Sequence, residues 1–250
     1  MTQIKDRIEF IKTNGYQLDF ETIFAKVFEN YKKIAIYAGL MLFVFGILLI
    51  AIIYGGLLSY FGIEKVTDMI KPENLEPKNF SKEFIIIYSG AAIVFTAIIS
   101  PFTAGFIKMA YCAEQNEEFH ISTIFEYYKL PYFFQLFAAT FIITLFNTGI
   151  STGLELIGIP FIGSLLTMAV SFFTLLTIPL IIFGELKVID AISSSITITS
   201  KQPFTIISLI VVSILASLVG LIGFCIGVIF TIPFIYSLYY ILYKEIIGFE

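Results

Sequence analysis

The chain has 250 residues, of which 58% are hydrophobic and 14% are charged, and its mean hydropathy is +0.93. Soluble domains have about 45–50% apolar and about 25% charged residues, so this composition excludes an ordinary soluble domain and predicts an all-α integral membrane protein. The net charge of −4 and the lack of a dense cluster of Lys and Arg argue against nucleic acid as a partner.

Residues 1–33 are predicted to lie in the cytoplasm as amphipathic helices. Over 20–31 apolar side chains recur at helical spacing, with charged side chains on the opposite face, and Asp19 stands where an N-cap is expected. Two later segments, 121–128 and 188–195, show a similar pattern. We expect all three segments to be interfacial helices that lie in the plane of the membrane surface, with the apolar face down.

The remainder of the chain, 34–250, is predicted to form a single domain with six transmembrane helices. A span needs about 20 consecutive apolar residues, and the uncharged runs that begin at Ile34 and Phe84 each allow one crossing. Two later runs are long enough to cross twice, so each must turn back, the first within 149–162 and the second near 220–223. The predicted spans are 34–60, 84–107, 132–150, 161–184, 204–222 and 223–243.

The distribution of basic residues predicts the orientation of these spans. With six crossings, eleven of the 15 Lys and Arg residues fall on the side that holds both termini, and four fall on the other. Cytoplasmic loops have an excess of Lys and Arg, so we expect a multi-pass protein of the cytoplasmic (inner) membrane with both termini in the cytoplasm. The spans then form three hairpins, each preceded by one of the interfacial helices.

The returning helix of each predicted hairpin contains one proline. Each proline follows a pair of small or branched residues, as in Thr231-Ile232-Pro233, which indicates a unit repeated three times. This layout, with short matches such as 231–234, resembles a loose bacterial group of six-span membrane proteins of unknown function. That group includes the membrane domain fused to some glycerophosphodiester phosphodiesterases, whose hydrolase domain has no counterpart in this sequence. The resemblance covers most of the chain and implies the fold, but it implies no catalytic residue.

The three prolines have two interpretations. A proline inside a helix removes one backbone donor and frees the carbonyl four residues earlier. In a transporter such a break can hold an ion or a substrate. It can also be a structural kink in which a nearby hydroxyl satisfies the loosened backbone, and prolines are common in spanning helices. The residues concerned are the prolines Pro101, Pro179 and Pro233 and the hydroxyl side chains of Ser100, Thr177 and Thr231.

Two polar residues and a row of tyrosines are the other candidate positions. Glu155 is the only acidic residue between Glu126 and Glu185, and it is interpreted as an interfacial loop carboxylate, with a coupling or gating acid as the alternative. Asn147 is expected to join helices by hydrogen bonds or to line a polar pocket. Four tyrosines at helical spacing predict an aromatic belt at the headgroup level, or a face that binds a partner or lipid headgroups. They are Tyr236, Tyr239, Tyr240 and Tyr243.

The sequence contains no motif for nucleotide binding, metal-dependent hydrolysis or a nucleophilic active site, so it predicts no catalytic residue, cofactor or metal site. The leading hypothesis is a non-enzymatic scaffold or accessory subunit of a membrane complex. Its expected partners are the lipid bilayer and another membrane protein or a bound lipid. The alternative is a carrier or transporter of lipid or another apolar substrate through a cavity lined by the three Pro-kinked helices.

Overall fold

The computed structural model describes residues 2–74, 81–118, 120–220 and 226–249. Throughout these ranges the secondary structure is helical, without strands. The helices are α1 (Thr2–Asn14), α2 (Phe20–Phe61), α3 (Ile63–Met69), α4 (Lys82–Gln115), α5 (Ile121–Ile124), α6 (Tyr132–Leu156), α7 (Pro160–Phe173), α8 (Thr177–Ile182), α9 (Val188–Thr199), α10 (Pro203–Val219), α11 (Ile226–Thr231) and α12 (Pro233–Ile246), with 3₁₀ turns at Pro72–Asn74 and Glu126–Tyr128.

Five helical stretches in the described residues are long and apolar enough to cross a membrane. A sixth is added if α9 and α10, which meet at an angle of 97°, are counted as one bent span. The chain is therefore an all-helical membrane protein with five or six candidate spans. The five stretches are Phe20–Phe61, Glu83–Gln115, Tyr132–Leu156, Pro160–Ile182 and Gly227–Ile246.

Helix α2 differs from the prediction for residues 20–31. The predicted N-cap is confirmed, because the Asp19 carboxylate accepts a hydrogen bond from the Thr22 amide at 2.8 Å, and hydrogen bonds from Thr22 lower the pKa of Asp19. The helix then continues without a break to Phe61, since no Gly or Pro interrupts its first four turns. Ile23 and Val27 are buried against the protein. The separate surface helix expected here is thus corrected to the first turns of a long helix.

The two other predicted surface helices have different outcomes. Residues 121–128 form only a single α-helical turn followed by a 3₁₀ turn, packed so closely on α4 that a Cβ at Gly105 would clash with the Ile124 backbone. Burial raises the pKa of Tyr127 in this segment. Helix α9 has 12 residues and is followed by the sharp turn into α10. Of the three predicted surface helices, only the third is a separate helix of several turns, and it forms a bent pair with α10.

Several predicted span ends fall short of the helix ends. Helix α4 continues past residue 107 to Gln115, α6 continues past 150 to Leu156, and α12 ends at Ile246. The predicted ends were placed where charge or glycine begins, but a charged side chain at the edge of the hydrocarbon leaves the helical backbone intact. The turn between α6 and α7 does lie within 149–162, where Gly158 adopts a φ of +79°.

Helix α12 lies at the centre of the packing. It contacts α2, α4, α8 and α10, and the neighbouring pairs α2 with α4, α6 with α7, and α10 with α11 also pack together. The two chain termini meet, because the Arg7 guanidinium donates to the Ile246 carbonyl at 3.0 and 3.1 Å. We call the end of the bundle where these residues lie the terminal end and the opposite end the far end.

Candidate functional site

Pro101 lies inside the continuous helix α4 and is buried. The Ser100 hydroxyl donates to the carbonyl of Ala97 at 2.8 Å. This carbonyl is the one that Pro101 deprives of its helical donor. The hydroxyl next to the proline therefore satisfies the loosened backbone at this position.

The helix around Pro179 is interrupted. Helix α7 ends at Phe173, α8 begins at Thr177, and the backbone between them is bridged by α9. The Ser195 and Thr199 hydroxyls donate to the Phe173 carbonyl at 2.8 and 3.0 Å, and the Leu176 amide donates to Ser195 Oγ at 3.1 Å. The Thr177 hydroxyl is buried without a hydrogen-bond partner among the described residues. Two side chains of α9 thus satisfy backbone groups of the break itself, and neither they nor Thr177 binds the carbonyl of Leu175, which Pro179 frees, in the described structure.

Pro233 is the first residue of α12, directly after a break in the helix. The Thr231 hydroxyl donates to the Ser217 carbonyl at 2.7 Å and to the Val228 carbonyl at 3.0 Å. It therefore links α11 to α10 instead of satisfying the carbonyl of Ile229, which Pro233 frees. Close to these two prolines in the chain, α4 and α12 pack together, since the fully buried Phe106 stacks on Tyr236 with ring centroids 5.0 Å apart.

Glu155 and Asn147 both belong to α6. Glu155 is exposed in the last turn of the helix, next to the turn at the far end. Asn147 Nδ2 donates to Ser171 Oγ at 3.3 Å and so joins α6 to α7, while its Oδ1 is buried without a partner among the described residues. Glu155 and Asn147 make no contact with each other among the interactions of the described residues, so they are separate features.

The four tyrosines of α12 do not share one environment. Tyr240 and Tyr243 have no exposed surface, so they cannot form a face for a partner or a belt at the headgroup level. This corrects the interpretation of the row as a single outward surface. Tyr236 is packed on Phe106, and Tyr239 lines a groove. The reason is that α12 is the central helix of the bundle, so protein surrounds most of its circumference.

A polar cluster at the terminal end was missed from the sequence. Glu114 accepts hydrogen bonds from the Tyr240 hydroxyl and from the Lys244 ammonium, the latter at 2.6 Å. One layer deeper, the Ser237 hydroxyl donates to Asn30 Oδ1 at 2.8 Å, and Asn30 Nδ2 donates to the carbonyl of Ala110 at 2.8 Å. These contacts join α2, α4 and α12. We call Asn30, Glu114, Ser237, Tyr240 and Lys244 the terminal polar layer.

A second set of contacts ties α1 to the rest of the terminal end. Lys5 pairs with Asp190 of α9 at 3.0 Å, and the Lys201 ammonium donates to the Lys12 carbonyl at 2.7 Å. The Tyr16 hydroxyl donates to the Ile198 carbonyl at 2.9 Å, and burial raises its pKa. These contacts fix α1 against α9.

An apolar groove of about 500 Å³ lies between α7 and α10. Its walls are almost entirely hydrocarbon, with Ser171 and Tyr239 as the side chains that have a hydroxyl. None of the three kink prolines lines it. The lining residues are Leu165, Met168, Ala169, Ser171, Phe172, Phe173, Leu175, Pro203, Ile207, Ile210, Val211, Ile214 and Tyr239.

In the part of the chain that the structure describes, no group of three or more His, Cys, Asp or Glu side chains is placed to hold a metal ion. No family model, curated protein or solved structure matches this chain. The terminal polar layer and the apolar groove are therefore interpreted from their own geometry.

Proposed function

We propose that this chain is a non-enzymatic integral membrane protein that serves as a scaffold or accessory subunit of a membrane complex. The observation behind the proposal is the far half of α2 and α4. Residues 51–60 of α2 are exposed at every position, and nine of the ten residues over 83–92 of α4 are exposed as well. Neither segment contains a buried residue, so each has its whole circumference available to lipid or to a partner.

These two segments contain glycines where another helix can approach closely. A Cβ added at Gly55, Gly56 or Gly90 would meet nothing within 4 Å in the described structure. Small residues in spanning helices let backbones come together, and in lipid this van der Waals packing, not hydrophobic burial, drives association. The far half of α2 and α4 therefore suits a transmembrane helix of a second protein.

The proposal includes six crossings arranged as three hairpins, with both termini in the cytoplasm and the protein in the inner membrane. The contact between Arg7 and the Ile246 carbonyl supports an even number, since five crossings would place the termini on opposite faces. The excess of Lys and Arg on the side of the termini supports a cytoplasmic location for that side.

The carrier hypothesis has weaker support. It requires a cavity lined by the kinked helices, but Pro101, Pro179 and Pro233 are buried, and none of them lines the apolar groove. We therefore propose the accessory role first.

Site-specific photo-cross-linking in native membranes tests the proposal. A photoreactive amino acid replaces Tyr54 of α2 or Tyr88 of α4, both exposed on the far half, and the chain is purified in mild detergent. We expect a discrete protein adduct at both positions. Phe134 of α6, which is also exposed, is the matched control and should give lipid adducts only.

A substitution that only prevents a partner helix from approaching α2 closely sharpens this test. Gly55→Leu adds a side chain to the exposed face and should reduce recovery of the cross-linked partner about tenfold, whereas Ile53→Leu should not. A chain that purifies alone and monomeric, without adducts at 54 and 88, contradicts the accessory role. Adducts of twice the mass of the chain contradict it too, since they assign the surface to a second copy.

A further inference from the structure

The apolar groove between α7 and α10 has the length of one membrane leaflet. Along α10 it extends from Pro203 to Ile214, and at 1.5 Å per residue this is about 16 Å, close to half of the about 30 Å hydrocarbon thickness. Its volume of about 500 Å³ is within the usual range of ligand sites. A single extended hydrocarbon chain therefore matches its dimensions.

The groove opens towards the terminal end. Pro203, which lines the groove, lies two residues after Lys201. The Lys201 ammonium is held at the terminal end by its hydrogen bond to the Lys12 carbonyl at 2.7 Å. The Lys12 ammonium pairs with Glu9 at 3.5 Å, whereas no carboxylate among the described residues pairs with the Lys201 ammonium. An ammonium has three donors, and the bond to the Lys12 carbonyl uses one donor of Lys201. The mouth therefore favours an anionic group.

One wall of the groove contains a phenol without a hydrogen-bond partner among the described residues. Tyr239 lines the groove, and no hydrogen bond of its hydroxyl to another described residue is present. Tyr239 lies seven residues before Ile246, about 10 Å along the helix axis from the terminal end of α12. A phenol that is largely surrounded by apolar side chains usually has a hydrogen-bond partner. An acceptor on the occupant, such as an ester carbonyl, supplies one.

From these three features we propose that the groove binds an anionic glycerophospholipid of the leaflet at the terminal end. One acyl chain lies between α7 and α10, an ester carbonyl accepts a hydrogen bond from Tyr239, and the phosphate lies beside Lys201. Phe173 and Leu175 line the groove, so a bound lipid contacts the break between α7 and α8 that α9 bridges. The site is independent of the far half of α2 and α4, so it does not rest on the accessory role.

Photolabelling in vesicles tests the proposal. The purified full chain is reconstituted in phosphatidylcholine vesicles that contain a trace of phosphatidylglycerol with a diazirine in one acyl chain, and the labelled peptides are identified by mass spectrometry. We expect labelling over 165–175 and 203–214 to exceed that over 51–60 about fivefold per residue, because a bound chain has a longer residence time than bulk lipid. Uniform labelling of all lipid-facing segments overturns the proposal.

Matched variants test the space in the groove and the Tyr239 hydroxyl separately. Ala169→Trp fills the groove and should reduce its labelling about tenfold, whereas Ala51→Trp on the exposed part of α2 should not. Val211→Phe narrows the groove from α10 and gives a second test if Ala169→Trp fails to fold. Tyr239→Phe removes one hydrogen bond and should reduce labelling about threefold, with Tyr54→Phe as control.

The charge at the mouth has its own test. Lys201→Gln should lower labelling by the phosphatidylglycerol probe about threefold and leave labelling by a matched phosphatidylcholine probe unchanged, with Lys65→Gln as control. Unchanged groove labelling in Ala169→Trp and Val211→Phe overturns the proposal. Disulfide cross-linking of two chains through Ile207→Cys also overturns it, because it assigns the groove to a second copy.

Discussion

The two ends of α2 and α4 differ sharply in how completely the protein covers them. At the terminal end, Ala104, Phe106 and Ile107 of α4 have no exposed surface, and α2 is buried at Val27 and Ile34. At the far end, residues 51–60 and 83–92 contain no buried position. The same two helices are thus buried in the protein core at one end and exposed on all sides, or bare, at the other.

This difference does not follow from hydropathy, because the bare segments are among the most apolar parts of the chain. In lipid an apolar side chain gains little by leaving one hydrocarbon environment for another. The helices are instead joined where polar groups need partners, at Asn30 and Glu114, and where small residues allow close contact, as at Gly105. The hydrogen-bonding needs of polar side chains and the close approach of helices at small residues therefore decide which end is packed.

Two glycines of α4 give the strongest test of this comparison. Gly105→Leu should destabilise the protein by about 3 kcal/mol or more, because any side chain there meets the backbone of Ile124 and the two segments must separate. Gly90→Leu, in the same helix at the far end, meets nothing within 4 Å and should have little effect. Thermal denaturation in mild detergent measures both, and equal shifts of the midpoint would contradict the comparison.

The second test removes a buried amide. Asn30→Leu should destabilise by about 2 kcal/mol, because the buried hydroxyl of Ser237 and the carbonyl of Ala110 lose the groups that they contact in α2. Ser59→Ala at the far end removes an exposed hydroxyl that bonds only within its own helix and should change stability by less than about 0.5 kcal/mol. Asn30→Leu with an unaltered denaturation midpoint would show that polar satisfaction does not hold this end together.

The third test removes a charge and keeps the shape. Glu114→Gln leaves the Lys244 ammonium without its carboxylate, although Tyr240 can still donate to the new amide. Removing one partner of a fully buried ion pair destabilises strongly, but both side chains are about one-third exposed, at 27% and 34%. Solvent screening reduces the expected loss to about 1–2 kcal/mol.

Glu83→Gln is the matched control for Glu114→Gln, since Glu83 is an exposed carboxylate at the opposite end of the same helix. It should leave the denaturation midpoint unchanged in detergent. A loss as large as that of Glu114→Gln would mean that the carboxylates act through overall charge and not through the terminal polar layer.

The sequence was sufficient to predict the all-helical class and the presence of several helices long and apolar enough to cross a membrane. Uncharged runs longer than a bilayer can be read directly, and so can the turn near Gly158. The helix ends were harder to predict, because the first charged residue marks the edge of the hydrocarbon and not the end of the hydrogen-bonded helix. This is why Lys108 and Glu114 were placed outside a span although α4 includes both.

The terminal polar layer could not be predicted, because its members are far apart in the chain. Glu114 lies 126 residues before Tyr240 and 130 before Lys244. One pattern was nevertheless available, since Tyr240 and Lys244 are four residues apart and share one face of α12. A buried phenol beside an ammonium on one helix face needs an acceptor, and that requirement could have directed attention to the nearest acidic residue at the same membrane face.

The prolines also show that contacts between sequence neighbours can be predicted, whereas contacts between distant segments cannot. Ser100 satisfies the backbone next to Pro101, which adjacency in sequence makes possible. The break before Pro179 is instead satisfied by Ser195, whose position depends on how α9 folds back. The hydroxyl nearest to a proline in sequence is therefore a good guess only when the helix remains continuous.

The smallest expected effect concerns the outer edge of the terminal end, where Lys5 of α1 pairs with Asp190 of α9 at 3.0 Å. Both side chains are about half exposed, at 53% and 48%, so a double-mutant cycle with Lys5→Gln and Asp190→Asn should give a coupling energy below about 1 kcal/mol. High salt should reduce that coupling further, because screening acts fully on exposed charges. A coupling energy as large as the effect of Glu114→Gln would mean that exposed ion pairs stabilise the terminal end as much as the terminal polar layer does. Hydrogen bonding in the core would then not explain why the terminal end is packed and the far half is exposed.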